Sequence, residues 1–214
     1  MRSIGFNEHY GLQTAVFEGR KTMTRRFEKG FENLEEGNFC FQKGRNQVVL
    51  YGEKGTQIEI IKLRYKIGEI VAIRQSYSEV YDELFGDVAH INNDRALELH
   101  MSYILMEAQK DTIKGWTNKM FIRPDLMPRH IRITDVDLQR LQSISDEDCL
   151  KEGVAKLQQE APCDGFFIRD ELHYSNLCYN TPREAFAALI DKVSGKGTWE
   201  RNQFMPAYSF ELID

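Results

Sequence analysis

Apolar and polar positions along this chain fall into short, well-punctuated segments rather than long periodic runs. Between Glu8 and Glu18, Leu12, Ala15 and Val16 recur at helical spacing, and Gly19 follows where a left-handed residue ends a last turn. Lys21 to Arg26 then reads as a strand. Val48–Tyr51 and Ile58–Ile61 are β-forming runs inside a stretch rich in glycine and charge, which predicts a hairpin-like insertion over about 27–67. Gly68 to Arg74 is a turn followed by an apolar strand that ends on a cation.

Residues 77–118 are polar and mixed and read as a second insertion, in which Leu97 to Ala108 fits a helix or a strand. Lys119–Arg123 and His130–Val136 are strand-like, the second by its alternation, with a loop around Pro124 and Pro128 between them. Ser145 caps a short helix that runs to Lys151 and stops at Gly153, just after Glu152. Composition makes Ala161–Asn180 a loop or lid, with Phe166, Phe167, Tyr174 and Tyr179 among polar residues. Thr181, Pro182 and Glu184 form the start of the strongest helix: a cap, a proline in the first turn and a capping-box glutamate. Its apolar stripe is Phe186, Leu189, Ile190 and Val193, and Gly195 ends it. Tyr208–Ile213 is a closing strand. Together these predict one α+β domain spanning 1–214 and carrying two insertions.

Composition narrows the functional classes. Of 214 residues, 42% are hydrophobic and 29% charged, an ordinary globular balance, and the net charge of -5 excludes a surface coated in positive charge. A nucleic-acid site must then be a local patch, better suited to one nucleotide or a short single strand than to a duplex track. Cys40, Cys149, Cys163 and Cys178 contain no CxxC pair and the histidines are dispersed, so neither a metal nor another cofactor is expected. Met1–His9 lacks the apolar core of a signal peptide, and no apolar run is long enough to span a bilayer. The expectation is free thiols in a cytoplasmic protein without membrane partners.

The chemistry concentrates in Gly19–Arg26, which places Arg20, Lys21, Arg25 and Arg26 beside Thr22 and Thr24. Neighbouring like charges repel, and an anionic ligand such as a phosphate backbone would offset that repulsion. A solvated cationic strand edge, protected from pairing with other chains, is the alternative. Arg74 and Arg129 are further phosphate-contact candidates, or members of ordinary surface ion pairs. Tyr77, Trp116 and Trp199 could stack on a base or pack in the core.

In order, these motifs resemble those of the ASCH domains of the PUA-like superfamily. Gly19, Lys21 and Arg26 match the family pattern Gly-x-Lys-x-x-Glu-x-Arg, with Thr24 where many members carry glutamate. Long bacterial and phage-associated members are also similar at Gly68–Arg74, Met127-Pro128-Arg129, Leu141–Asp148 and Gly195–Trp199. The resemblance implies a small β-barrel flanked by short helices, with a cleft where the first motif meets the helix ending at Glu152. It also implies RNA, a nucleotide or a modified nucleoside as partner. In a subset of small members it implies amidohydrolase chemistry on N4-acetylcytidine, with catalytic positions that fall on Lys21, Thr24 and Glu152. A non-catalytic reader of RNA or of a modified base, or a protein-interaction domain, are the other readings.

Amide hydrolysis needs a nucleophile, a proton acceptor and a donor to the leaving amine. Thr24 offers a hydroxyl. Lys21 offers a base if burial and the neighbouring arginines depress its pKa against the pull of Glu152. Glu152 could instead hold the exocyclic amine of cytosine. Residues three apart on a strand point to opposite faces, so Lys21 and Thr24 converge only if Lys21 lies in the turn after Gly19 or the strand bulges.

Overall fold

The computed structural model describes residues 1–52, 55–86, 94–156, 165–170 and 175–213. In chain order the elements are β1 (Arg2–Ile4), α1 (Leu12–Phe17), β2 (Met23–Arg25), β3 (Phe39–Gln42), β4 (Gln47–Tyr51), β5 (Gln57–Lys62) and β6 (Ile70–Ile73). There follow α2 (Tyr77–Gly86), α3 (Asp94–Glu107), β7 (His130–Arg140), α4 (Asp146–Lys151), β8 (Ala155–Lys156) and β9 (Phe166–Asp170). The chain ends with β10 (Ser175–Tyr179), α5 (Pro182–Ser194), α6 (Thr198–Arg201) and β11 (Phe204–Leu212). This is an α+β chain with both parallel and antiparallel strand pairs.

The chain divides into two compact units. The first comprises Met1–Phe6, Ile70–Ile131 and Ile213–Asp214, and the second Asn7–Glu69 and Arg132–Leu212. The segment expected as an insertion over 27–67 belongs to the second unit, and that over 77–118 to the first.

In the first unit β1 runs parallel to β6 with Ser3 opposite Ala72, and Ile73 donates its backbone N–H to the Arg129 carbonyl at the head of β7. Ala72, Tyr77, Val80, Tyr103 and Met127 form its buried core. Tyr77 and Tyr103 meet edge-to-face at 5.8 Å, a favoured geometry for aromatic pairs. Each hydroxyl has a partner: Tyr103 donates to the Leu126 carbonyl, and Tyr77 accepts from the Arg123 N–H. Of the Leu97–Ala108 segment, Leu97–Glu107 lies in α3 and Ala108 in the turn that follows. The strand expected over Lys119–Arg123 is instead a 3-10 turn, Lys119–Phe121. Asn118 caps it by accepting from the Met120 N–H, and Pro124, which lacks an N–H, opens the next turn.

In the second unit β7 pairs with β11 and β11 with β2, the last in register Ala207↔Arg25, Tyr208↔Thr24 and Ser209↔Met23. The strands expected at 21–26, 69–74, 131–136 and 208–213 are all present. No closed barrel is found among the described residues, which corrects the expected barrel. Just before β2, the Thr22 N–H bonds the Lys151 carbonyl of α4. The 27–67 segment forms a separate antiparallel sheet, β3-β4-β5.

The loop expected over Ala161–Asn180 contains the antiparallel hairpin β9–β10, extended by β8. Phe166, Phe167 and Tyr179 are strand residues, and Tyr174 lies outside the described residues. α5 begins as its sequence dictates. Thr181 accepts from the Glu184 N–H, while the Glu184 carboxylate reaches back to the Asn180 N–H. Phe186, Leu189 and Ile190 are buried, whereas Val193 is exposed. Cys40 and Cys149 are free, but Cys178 is disulfide-bonded, which corrects the expectation of free thiols throughout; Cys163 lies outside the described residues. No helix among the described residues is long and apolar enough to cross a membrane.

Candidate functional site

The first motif is positioned by two glycines. Gly19 leaves α1 at φ +70°, a conformation that costs a residue with a Cβ, and lets the chain turn back so that the Lys21 N–H bonds the Ala15 carbonyl. Gly153 leaves α4 at φ +104°, where a Cβ would meet Leu12 Cδ2 at 2.9 Å and Lys21 Cδ at 3.5 Å. The end of α4 is thereby brought against the start of β2.

Lys21 is 2% exposed and gives its ammonium three acceptors. Nζ lies 2.8 Å from Glu152 Oε2, 2.6 Å from the Glu152 carbonyl and 2.8 Å from the Met23 carbonyl. The second of these is a carbonyl at the end of α4, so the ammonium also caps a helix C-terminus, the end a cation favours. Arg25, with a side chain fully shielded from solvent, donates from Nη1 to Glu152 Oε1 at 3.1 Å and from Nη2 to Gln139 Oε1 at 2.9 Å. Asp148 Oδ2 lies 3.9 Å from the same Nη2. Each Glu152 oxygen therefore holds one cation. A carboxylate that the helix end alone would disfavour is stabilised by the two charges it bridges.

Burial pushes the Lys21 pKa down from its ordinary value. The Glu152 carboxylate beside it pulls it back up, and Arg26 and Arg25 add to the lowering. Cys149, on α4, has its thiol pushed up to about 12, chiefly by burial and further by Asp146.

The cluster thus brings together three of the residues expected at the site: Lys21, Arg25 and Glu152. The other candidates are placed differently. Lys21 precedes β2, in the turn after Gly19, and its ammonium reaches the side of the strand that carries Arg25. Strand alternation sends Thr24 to the opposite face, the one shared with its cross-strand partner Tyr208. On that face Tyr208 donates its hydroxyl to Glu28 and stacks edge-on against Tyr65 at 5.3 Å. Arg26 continues the pairing beyond β2 through its N–H to the Pro206 carbonyl, and its charge acts on Lys21. Arg20 is exposed and paired with Glu18 at 2.7 Å.

Arg74 and Arg129 belong to the first unit, where Arg74 bonds the Ser3 hydroxyl and Arg129 pairs with Glu83. Tyr77 and Trp116 are packing residues of that unit's core. Trp199 sits edge-on to Phe186 at 6.1 Å, with the Arg183 guanidinium over its ring. Two members of the cluster were not anticipated. Asp148 lies inside a matched motif, but Gln139 carries no sequence signal, being an unremarked polar position of β7. No group of metal-ligating side chains occurs among the described residues.

Comparison with protein-family models, with curated proteins and with solved structures finds no match to this chain.

Proposed function

We propose that this chain is an ASCH-type protein that binds RNA or a nucleoside where the first motif meets the end of α4. The observation that carries the reading is the contact between Lys21 and Glu152. These residues are 131 positions apart, the resemblance pairs them, and Nζ and Oε2 lie 2.8 Å from each other. An enclosed group of two cations and one bridging carboxylate has a net positive charge, tempered by Asp148 at its edge. Such a group suits a ligand with an anionic or carbonyl oxygen, and a carboxylate beside it suits an exocyclic amine. A cytoplasmic setting belongs with an RNA partner in this proposal; the Cys178 disulfide counts against a strongly reducing one.

Binding is preferred to catalysis because all three acceptors around Lys21 favour the ammonium form, and because Thr24 lies across the strand from it. The lowered Lys21 pKa favours a second reading, hydrolysis of an N-acylated nucleobase amide, with Lys21 as base, Thr24 as nucleophile and Glu152 on the leaving amine. One experiment addresses both. Purified protein is incubated with short single-stranded RNAs and with a panel of N-acylated nucleosides, and bound ligand and released free base are followed together. Binding that weakens in Arg26→Glu, with a shallower dependence on salt, supports the first reading. Release of free base that survives in Thr24→Ser and disappears in Thr24→Ala supports the second. Affinity and salt slope unchanged in Arg26→Glu overturn the first reading, and a parent protein that releases no free base from any acylated nucleoside overturns the second.

A further inference from the structure

We propose that Arg25 is a positioning residue of this site, holding the Glu152 carboxylate so that Oε2 is presented to Lys21. The inference rests on the proposed reading of the Lys21–Glu152 pair, and it gives Arg25 a role other than ligand contact. Arg25 is gripped from several directions. Nη2 donates to Gln139 Oε1 on β7, and the Gln139 amide nitrogen in turn donates to Asp137 at 2.8 Å, which fixes which end of that amide faces Arg25. Asp148 approaches from α4, the Met23 sulfur lies 3.3 Å from Nη1, and the Phe186 ring of α5 sits 6.0 Å from the guanidinium carbon. A planar, permanently charged fork held in this way has little freedom left, so the carboxylate it binds inherits its orientation.

The consequence for Lys21 is electrostatic as well as geometric. The charged groups facing the ammonium are Glu152 from the end of α4, Arg25 from β2 and Arg26 just after it, with Asp148 of α4 acting through Arg25. Arg25 both opposes the ammonium and competes with it for one carboxylate. Removing Arg25 takes away a like charge and leaves Glu152 to Lys21 alone. Both changes favour the protonated form.

The test follows Lys21 directly. Protein carrying lysine labelled with carbon-13 at the ε position is titrated by NMR, with Lys21→Arg identifying the signal. In Arg25→Met, the Lys21 midpoint is expected to move up. In Arg25→Lys, which keeps the charge and loses the fork, the midpoint should move less while nucleoside or RNA affinity still falls by about tenfold, the loss of one oriented hydrogen bond to a charged group. Gln139→Met loosens the grip without touching a charge and should reproduce the Arg25→Lys pattern if Arg25→Met fails to fold. A Lys21 midpoint that stays in place in folded Arg25→Met overturns the proposal. A midpoint that moves in a protein that binds no nucleoside or RNA leaves the positioning role standing and sinks the functional reading instead.

Discussion

Glu152→Gln isolates the charge that holds the cluster together, since it preserves side-chain shape and one carbonyl oxygen. The side chains of Lys21 and Arg25 are 2% and 0% exposed, so both cations lose their shared anion out of reach of water. The remaining carboxylate, Asp148, is 3.9 Å from Arg25, and its other oxygen already pairs with Lys151 at 3.3 Å. Breaking a buried pair by removing one partner costs about 3–5 kcal/mol. The glutamine oxygen still accepts one hydrogen bond and recovers about 1 kcal/mol of that. The expected loss is then about 2–4 kcal/mol, from a total stability on the order of 5–15 kcal/mol. At roughly 2–4 °C per kcal/mol for a chain of this size, the melting temperature should fall by about 4–16 °C. Because the chain has two compact units, each with one tryptophan (Trp116 in the first, Trp199 in the second), a Trp116→Phe background lets fluorescence report on the unit that holds the cluster. Urea unfolding of that background, with and without Glu152→Gln, gives the difference. Adding Lys21→Met to Glu152→Gln removes one of the stranded charges, and the double variant should lose less than the sum of the singles. A cost below about 0.5 kcal/mol would place the pair among solvated surface ion pairs and refute the reasoning.

Three further outcomes are expected. Gly153→Ala should destabilise by about 1–2 kcal/mol, because φ +104° disfavours a Cβ and the added atom presses on Leu12; equilibrium unfolding measures it. A thiol reagent applied to the native protein should modify exposed Cys40 quickly and leave Cys149 untouched, since that thiol is buried with its pKa raised to about 12; peptide mass mapping reads out both sites. Lys21 has a folded pKa below its ordinary 10.5, so between those two values the unfolded chain binds the extra proton and stability should rise with pH. The slope in that alkaline window should be steeper in the parent protein than in Lys21→Met, and equal slopes would show that Lys21 keeps its proton throughout.

Local signals in the sequence carried furthest where a backbone constraint and a side-chain partner coincided. Gly19 and Gly153 mark helix ends because both adopt positive φ, and Thr181 with Glu184 marks a start because each reaches the other's end of the first turn. Lys119–Arg123 was read as a strand on composition, yet the Asn118 cap and Pro124 settle it as a turn and leave Met120 and Phe121 exposed. The β9–β10 pair is hidden in the sequence because its aromatic residues stand among polar ones without clean alternation.

At the site, the resemblance points to Lys21, Thr24 and Glu152; Lys21 does lie in the turn after Gly19, the condition for convergence, yet Thr24 pairs with Tyr208 on the other face. The burial of Arg25 was not legible. Its partners Gln139 and Glu152 lie 114 and 127 positions downstream, and nothing local distinguishes it from Arg26.

The separation of 131 positions between Lys21 and Glu152 also has a temporal meaning. A ribosome adding roughly 5–20 residues per second needs about 7–26 s to travel from one to the other. Throughout that interval the nascent chain displays Arg20, Lys21, Arg25 and Arg26 with no Glu152 to receive two of them. The second unit cannot complete its cluster until then, so a ribosome-tethered chain stopped short of Glu152 should remain protease-sensitive around Lys21 and Arg25, and become resistant only after α4 has emerged.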